Sequence, residues 1–323
     1  MYRRQLMGAL CLGAAALAGQ PALAAEAWPN RPLRLIVPYT PGGASDAAAR
    51  MLAAGMSEKL GQAIVVDNRG GGGTIIATQA VAKSPADGYT ILWMPSQFAI
   101  NDTLYKQVPY RFGDFSMVVD VLSVPNVFIV NPASPARTMA DLVKEAKQAP
   151  GRLSFGSPGT GSISHLAVEM FQTTAGVKLN HIPYKGSAPA VMDLVAGQTN
   201  LVADTVFLCQ PQVAAGKVRA LAQTGTQRSK LMPDVPTMQE AGFPGYAAVS
   251  WMSLAVPAGT PAEIVARLNK AANEVLTSSA VHAAFDKQGL DVMGGSPEES
   301  SRRIQGELKR WGEAVRLSGA RAD

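Results

Sequence analysis

The segment Pro38-Tyr39-Thr40-Pro41-Gly42-Gly43-Ala44-Ser45-Asp46 joins two regular stretches of this 323-residue chain. The apolar run Leu33 to Val37 before it predicts a β-strand, and the pattern Ala47 to Leu60 after it predicts a helix. In α/β proteins a glycine-rich turn between a strand and a helix commonly holds a ligand. Glycine lets the backbone approach closely, and the free N–H groups of the first helical turn attract an anion. The segment therefore predicts an α/β fold with an anion site.

A second segment of the same kind lies further along the chain. Phe155-Gly156-Ser157-Pro158-Gly159-Thr160-Gly161-Ser162 stands between a short apolar run, Leu153 to Phe155, and a predicted helix, Ser164 to Ala175. We call residues 38–46 the first loop and residues 155–162 the second loop. The matched pair predicts two lobes that present one loop each to a carboxylate between them. The hydroxyl groups expected to assist the backbone N–H groups belong to Thr40, Ser45, Ser157, Thr160 and Ser162.

Asp46 is the one acidic residue of the first loop. A carboxylate in the first turn of a helix suits capping, whereas beside a bound anion it would repel the ligand. We therefore expect Asp46 to turn away from the ligand and to fix the loop or order water.

Composition limits the classes of protein to consider. The chain is 47% apolar and 16% charged, which is typical of a globular protein, and it is long enough for two lobes with separate cores. Its net charge of +5 is mild, and no cluster of Lys and Arg with interleaved aromatic residues is present. Nucleic-acid binding is therefore not predicted.

The N-terminus has the pattern of a targeting segment. An arginine pair at positions 3 and 4 precedes an apolar stretch, Leu6 to Ala18, and a small-residue motif, Ala22-Leu23-Ala24. The stretch is too short to be a comfortable membrane span. We expect residues 1–24 to be a signal peptide, cleaved near Ala24/Ala25, and the protein to be periplasmic after export by the secretory or the twin-arginine route.

Alternating strand and helix patterns after the signal segment predict parallel sheets covered by helices. Two apolar runs, Phe115 to Leu122 and Val127 to Val130, are predicted to be separate strands split by Pro125. The second of these runs, together with Ser253 to Val256, is expected to pass between the lobes. The predicted domains are then residues 25–125 plus 246–323 for lobe 1, and residues 126–245 for lobe 2.

Motifs for catalysis on nucleotides or esters are incomplete. Gly156 and Gly161 have phosphate-loop spacing, but Ser162 occupies the position that requires lysine. Each candidate serine for a hydrolase elbow, Ser157, Ser162 or Ser187, lacks a flanking glycine. No nucleophile with a neighbouring base is evident, so the sequence favours binding without chemistry.

Metal and thiol chemistry are also not favoured. His165 and Glu169 have i, i+4 spacing, which is more common on an ordinary helix face than at a metal site. Cys209 is the only cysteine after the signal segment, and a small buried apolar role suits it better than a nucleophilic one. We expect no metal and no cofactor.

Several motifs in order give the chain a family resemblance over essentially its whole mature length. It resembles the Bug family, the periplasmic solute-binding proteins of tripartite tricarboxylate transport systems. The motifs are Trp28-Pro29, Val37-Pro38-Tyr39 with Pro41-Gly42-Gly43, Asp46-x3-Arg50, Asp67-Asn68-Arg69, Asp87-Gly88-Tyr89, Gly156-Ser157 to Gly161-Ser162 with His165-Leu166, His181-Ile182-Pro183-Tyr184-Lys185-Gly186, Pro233-Asp234-Val235-Pro236-Thr237, Glu240-Ala241-Gly242 and Gly259-Thr260-Pro261.

This resemblance implies a two-lobed Venus-flytrap fold of the type II periplasmic-binding class, no enzymatic activity, and a monomer that delivers a di- or tricarboxylate or an aromatic acid to membrane transporter subunits. The ligand would lie in the cleft between the lobes, and Asp204 would face its distal end. The implied ligand contacts are Tyr39, Thr40, Gly42, Gly43, Ala44, Ser45 and Asp46 of the first loop, and Ser157, Gly159, Thr160, Gly161, Ser162 and His165 of the second loop and its helix.

Two alternatives remain open at this point. The same cleft would also serve a sensor subunit that presents its ligand to a membrane kinase. A secreted enzyme acting on an organic acid would use His165 or Cys209 as the working residue. After Asp204 the chain departs from the family pattern, and Phe207 there leaves room for an aromatic or apolar ligand body.

Overall fold

The structure is a computed structural model that describes residues 28–322. The predicted signal peptide and its cleavage point lie outside the described residues. The strands are β1 Leu33–Val37, β2 Ile64–Asn68, β3 Thr90–Pro95, β4 Phe115–Val130, β5 Ser154–Ser157, β6 Asn180–Pro183, β7 Leu201–Thr205, β8 Arg219–Gln223, β9 Val249–Pro257 and β10 Asp291–Gly294. The helices are α1 Ala44–Leu60, α2 Ile75–Ala82, α3 Gln97–Leu104, α4 Met139–Gln148, α5 Ile163–Ala175, α6 Ser187–Val195, α7 Val206–Ala214, α8 Ala262–Leu276, α9 Ser279–Asp286 and α10 Pro297–Ser318.

The described strands pair in the order β2-β1-β3-β9-β4-β7-β5-β6, and β10 and β8 also pair with β4. The pairs β1·β2, β1·β3, β5·β6 and β5·β7 are parallel, as the alternating pattern predicts, and the pairs that involve β4 or β9 are antiparallel. Each glycine-rich loop therefore follows the carboxyl end of a parallel strand, which is where ligands bind in open α/β sheets.

β4 is the strand that joins the two halves of the sheet. As far as Pro125 it pairs with β9, and from Asn126 onward it pairs with β7 and β8. The prediction of two strands split by Pro125 is wrong, because the chain stays extended and changes partners there. Proline has no N–H group to donate to a neighbouring strand, and it is tolerated at the point where β4 changes partners. β9 pairs with β3 and β4 along its length, which puts Ser253 to Val256 inside the first half of the sheet.

Two short elements have no counterpart in the predictions. α3 follows β3 directly, and β10 is a four-residue strand on the edge of β4. Both are too short for hydrophobic periodicity to identify them, since tertiary packing rather than local pattern stabilises such elements. α3 matters for the site, because its last residue, Leu104, is buried against the second loop.

One apolar cluster contains residues from both halves of the sheet. Phe98 of α3, Phe128 of β4 and Phe155 of β5 are buried in it, together with Trp251 and Trp311. Both indole N–H groups donate to the buried carboxylate of Glu307, at 3.1 and 2.8 Å. α10 packs against α3 and α5, which ties the C-terminal helix to both halves.

Candidate ligand-binding site

The first loop is held by Asp46, which is 4% exposed. Its Oδ2 accepts hydrogen bonds from Gly42 N–H at 2.9 Å and from Arg50 Nε at 3.0 Å, and its Oδ1 accepts one from Asn68 Nδ2 at 2.9 Å. These bonds, that from Arg50 first, lower the pKa of Asp46 to about 2. The expectation that Asp46 fixes the loop is confirmed, and its carboxylate is ionised at neutral pH.

α1 begins at Ala44, three residues earlier than the sequence pattern predicts. Its N-cap is Gly43, which provides no side-chain cap, and the first intrahelical hydrogen bond runs from Ala47 N–H to Gly43 O at 3.0 Å. The amides of Ala44 and Ser45 therefore belong to the helical turn that has no intrahelical acceptors. Such a turn attracts an anion because of its N–H groups and the helix dipole.

Ser45 also offers a hydroxyl group. Its Oγ accepts a hydrogen bond from Trp93 Nε1 at 2.9 Å, so the hydroxyl proton is free to turn toward another acceptor. The hydroxyl donates to Met252 Sδ, at 4.0 Å, and a thioether is a weak acceptor. A carboxylate oxygen at the same position would be a much better one.

A cavity of about 210 Å³ adjoins the first loop. Ala44 and Ser45 line one part of it, and Thr205 and Phe207 line another. Alternate residues of β4 and β9 provide the remaining apolar wall, together with Leu290. The second-loop residues do not line this cavity. It joins the start of α1 to the β7–α7 junction, a combination that separate sequence motifs did not reveal.

The other first-loop residues differ in exposure. Thr40, Gly42 and Gly43 are exposed, while the ring of Tyr39 packs against the core of the first half of the sheet and burial raises its pKa above the ordinary value. The carbonyl of Tyr39 accepts a hydrogen bond from Asn68 Nδ2 at 3.2 Å. The ring of Tyr39 thus anchors the loop to the core, and the exposed residues Thr40, Gly42 and Gly43 form the outer surface of the loop.

The second loop is organised around two histidines. Ser157 Oγ lies 2.7 Å from His181 Nε2, and the His181 ring stacks on that of His165 with centroids 3.9 Å apart. β5 and β6 are adjacent parallel strands in which Phe155 pairs with His181, so Ser157 and His181 meet across 24 residues of sequence. The expectation that no nucleophile lies beside a base is therefore wrong, because Ser157 Oγ and His181 Nε2 are within hydrogen-bonding distance. Ser157, however, is fully buried.

His165 fixes the backbone of the loop. Its Nδ1 accepts a hydrogen bond from Gly161 N–H at 3.1 Å, so that nitrogen carries no proton, and its Nε2 lies 3.5 Å from Glu169 Oε1. Ser162 caps α5 by accepting a hydrogen bond from His165 N–H at 3.2 Å. Of the predicted second-loop contacts, Thr160 is exposed and Gly159 is half-buried.

Burial, followed by the proximity of His165, lowers the pKa of His181 to about 4. The unfolded chain takes up this proton near pH 6.5 and the folded protein only near pH 4, so stability should fall as the pH decreases from 6.5 to 4. We expect this loss to be smaller in His181→Gln by about 1–2 kcal/mol, a figure reduced because the ring is partly solvated. Denaturant unfolding at pH 7 and pH 4.5 measures it. The exposed His282 gives the control His282→Gln, and equal losses in wild type and His181→Gln would contradict the expectation.

Asp204 lies in β7, where it pairs with Val127 of β4. It is 2% exposed in β7, its Oδ1 accepts a hydrogen bond from Thr205 N–H at 2.7 Å, and burial raises its pKa. Its neighbour Thr205 lines the cavity, and two residues further on Phe207 does so as well. Sequence reasoning named both Asp204 and Phe207 at this junction, and of the two Phe207 lines the cavity.

Cys209 is fully buried, and burial raises the pKa of its thiol well above the ordinary value. This confirms the apolar role, because a nucleophilic cysteine needs a thiolate. Among residues 28–322, no three His, Cys, Asp or Glu side chains are grouped so that they would hold a metal ion. None of the helices in that range combines the length and apolar character that crossing a membrane requires.

A larger cavity, of about 450 Å³, lies near the β4–β9 pair on the face to which Ser123 and Trp251 point. The alternation of side chains along β4 and β9 puts it on the opposite side from the cavity at the first loop. Most of its charged groups are paired with one another or with neighbours, for example Lys230 with Asp286 at 2.8 Å and Arg310 with Glu307 at 2.8 Å, whereas Asp291 makes no ion pair with a described residue. Unlike this cavity, the smaller one adjoins the first loop.

The fold and the two loops define a class of protein, the two-lobed α/β binding proteins. The sequence profile described as "Tripartite tricarboxylate transporter family receptor" (TctC) matches residues 48–319. The chain therefore belongs to this receptor family, and the resemblance to the Bug proteins is confirmed. Protein BugT of Bordetella pertussis is 39% identical over 302 residues, which cover 93% of each chain.

Two solved structures of similar proteins are complexes with a carboxylate. "R. palustris Rpa4515 with adipate" is 38% identical, with 90% of this chain and 98% of that chain covered and a TM-score of 0.76. MatC from Rhodopseudomonas palustris with bound malate is 29% identical, with 89% and 100% covered and a TM-score of 0.73. These likenesses confirm the two-lobed α/β fold.

Proposed function

We propose that this protein is a periplasmic receptor that binds a small carboxylate between its lobes and delivers it to a tripartite tricarboxylate-type membrane transporter. The observation that carries the proposal is the uncapped start of α1, with Ala44 and Ser45 lining a cavity, in a chain that belongs to this receptor family. The ligands named for Rpa4515 and MatC, adipate and malate, are both carboxylates.

The predicted contact residues divide into two groups in this proposal. Ala44 and Ser45 line the cavity and touch the ligand, and Thr40, Gly43 and Thr160 are exposed and remain available to it. The others already bond within the protein. These are Tyr39, Gly42, Asp46, Ser157, Gly159, Gly161, Ser162, His165 and Asp204.

The change of partners in β4 supports the predicted lobe boundaries. Residues 25–125 with 246–323 would form lobe 1 and residues 126–245 lobe 2, because β4 pairs with β9 as far as Pro125 and with β7 and β8 from Asn126. We further propose that residues 1–24 are removed on export, that the receptor is a monomer, and that its physiological partner is a transporter rather than a sensor kinase.

We propose that the protein has no enzymatic activity. Within residues 28–322, the feature that favours catalysis is the 2.7 Å contact between Ser157 Oγ and His181 Nε2. A nucleophilic serine must reach its substrate, whereas Ser157 is 0% exposed. The pair is better suited to holding the second loop.

A thermal-shift and calorimetric screen of the mature protein tests the receptor function. A carboxylate present at a hundred times its Kd should stabilise the native state by about 2.7 kcal/mol. In Ala44→Asp a new carboxylate beside the α1 amides should repel the ligand and weaken binding about 100-fold. Ala54→Asp, on an exposed position of the same helix, is the matched control and should bind normally. Absence of any shift with dicarboxylates, tricarboxylates, aromatic acids and aliphatic acids would refute the proposal.

A further inference from the structure

The start of α7 faces the same cavity as the start of α1. Thr205, the N-cap of α7, makes no side-chain capping bond, and both Thr205 and Phe207 line the cavity. The amides of Val206 and Phe207 belong to the first turn of α7, whose N–H groups have no intrahelical acceptors. The cavity therefore has two anion-attracting helix starts, one at Ala44 and Ser45 of α1 and the other at the β7–α7 junction.

Asn126 provides a further polar group at the α7 end of the cavity. It is 1% exposed, and within residues 28–322 neither its Nδ2 nor its Oδ1 has a hydrogen-bond partner. Asn126 pairs directly with Thr205 in the antiparallel β4·β7 ladder, so the two side chains share one face, with their β-carbons about 5 Å apart. A buried amide left unpaired is costly, and a ligand oxygen that reaches Thr205 would give it a partner.

The register of β4 orders the cavity wall from one helix start to the other. Leu122 pairs with Met252, whose Sδ lies 4.0 Å from Ser45 Oγ, and Val124 follows Leu122 on the cavity face. Asn126 lies two residues beyond Val124, at the end where β4 pairs with β7. At about 3.3 Å per residue, the strand covers about 13 Å from Leu122 to Asn126. The wall is thus polar at both ends and apolar along β4 between them.

Asp204 is the acidic residue next to the start of α7, and it does not line the cavity. It pairs with Val127, which is buried in the apolar cluster that contains Val206. Because successive residues of a strand point to opposite faces, the Asp204 carboxyl lies on the face away from the Thr205 side chain. Burial also raises the pKa of Asp204, which favours its neutral form. Both effects reduce its repulsion of an anion at the start of α7.

We infer that the start of α7 and the Asn126 amide form a second carboxylate subsite, so that the ligand is a linear dicarboxylate whose apolar chain runs along β4 from Ser45 to Asn126. The cavity residues that the structure describes include no Lys or Arg, so each carboxylate relies on helix amides and neutral side-chain donors. A hydroxyl group on the chain would face Leu122 and Val124 and lose hydrogen bonds to water, which favours unsubstituted chains. The inference rests on the proposed receptor function and names the ligand class for that same site.

Calorimetry on the mature protein measures Kd for linear dicarboxylates from succinate to suberate and for the monocarboxylates of the same chain lengths. The dicarboxylate that binds best should bind at least about tenfold more tightly than its matching monocarboxylate, because charge-assisted hydrogen bonds form at both ends. Asn126→Leu removes the amide and should weaken that dicarboxylate about tenfold, while changing the Kd of the monocarboxylate less than about twofold.

Phe207→Asp tests the same subsite without altering a buried position, since Phe207 is 50% exposed. A carboxylate in the first turn of α7 suits the helix but repels the second carboxylate of the ligand, so the preference for the dicarboxylate should fall about tenfold. Met192→Asp is the matched control, because Met192 is 69% exposed on α6 and does not line this cavity. It should leave the preference unchanged.

In the wild type, monocarboxylates that bind as tightly as the dicarboxylates of their length would overturn the inference and leave the receptor function standing. The inference also fails, with the receptor function intact, if Asn126→Leu and Phe207→Asp both keep the wild-type preference. If no acid of this series or of the wider screen binds, the receptor function itself has failed, and the second subsite with it.

Discussion

Replacing Asp46 with alanine is expected to lower the free energy of unfolding by about 2–3 kcal/mol and to weaken carboxylate binding about tenfold. The buried carboxylate accepts from Gly42, Arg50 and Asn68, and alanine leaves these donors without it. The first loop then loses its fixed shape, so ligand binding has to order it. Denaturant unfolding and calorimetry with a bound carboxylate measure the two effects.

Glu58→Ala is the control for this change, since Glu58 is exposed on the same helix and its loss should alter stability by less than about 0.5 kcal/mol.

The charge of Asp46 also makes the free energy of unfolding depend on pH. Its folded pKa of about 2 lies below the ordinary 3.8, so its contribution is complete above pH 3.8 and disappears as the pH falls to 2. Wild type should lose about 2 kcal/mol over this window that Asp46→Asn does not lose. An Asp46→Ala protein as stable as Glu58→Ala would contradict the assignment.

Gly161→Ala is expected to cost about 2–4 kcal/mol and to displace the second loop. Gly161 has φ +76°, which disfavours any side chain by about 1–2 kcal/mol, and a β-carbon there would lie 2.5 Å from Leu104 Cδ2. Because Leu104 is buried, it has little room to move, and overpacking adds about 1–3 kcal/mol. Denaturant unfolding measures the stability, and calorimetry the effect on ligand binding.

Gly176→Ala separates the two causes of this cost. Gly176 has a similar backbone, φ +61°, but a β-carbon built on it meets no atom within 4 Å, so only the backbone strain of about 1 kcal/mol should appear. In a Leu104→Ala background the clash is removed, and Gly161→Ala should then cost about as much as Gly176→Ala. Equal costs for the two glycine variants in the wild-type background would show that the second loop does not pack on α3 as the structure has it.

The local features of the site were largely predictable. A strand, a glycine-rich turn and a helix start leave a clear pattern, so β1 was predicted with the bounds it has. The role of Asp46 also followed from the sequence, because capping depends on residues a few positions apart. The start of α1 was placed three residues too late, since Ala44 to Asp46 lack the apolar periodicity that marks a helix.

The contacts between distant segments were not predictable. His181 and Ser157 belong to adjacent strands, and only their pairing brings the two side chains to 2.7 Å. Pro125 was expected to end a strand, whereas β4 continues through it because the strand exchanges one partner for others. Neither pairing is encoded in a local pattern, since register depends on which strands become neighbours.

The sequence by itself determined the α/β alternation, the two glycine-rich loops and, through its motifs, the receptor family. Only the tertiary structure decided which loop residues form hydrogen bonds within the protein and which remain exposed. It also decided that the wall beside the first loop is uncharged, with Phe207 at its rim. The physical reason is that helices and turns form from residues close in sequence, whereas a cavity is lined by segments that meet only after the sheet has formed.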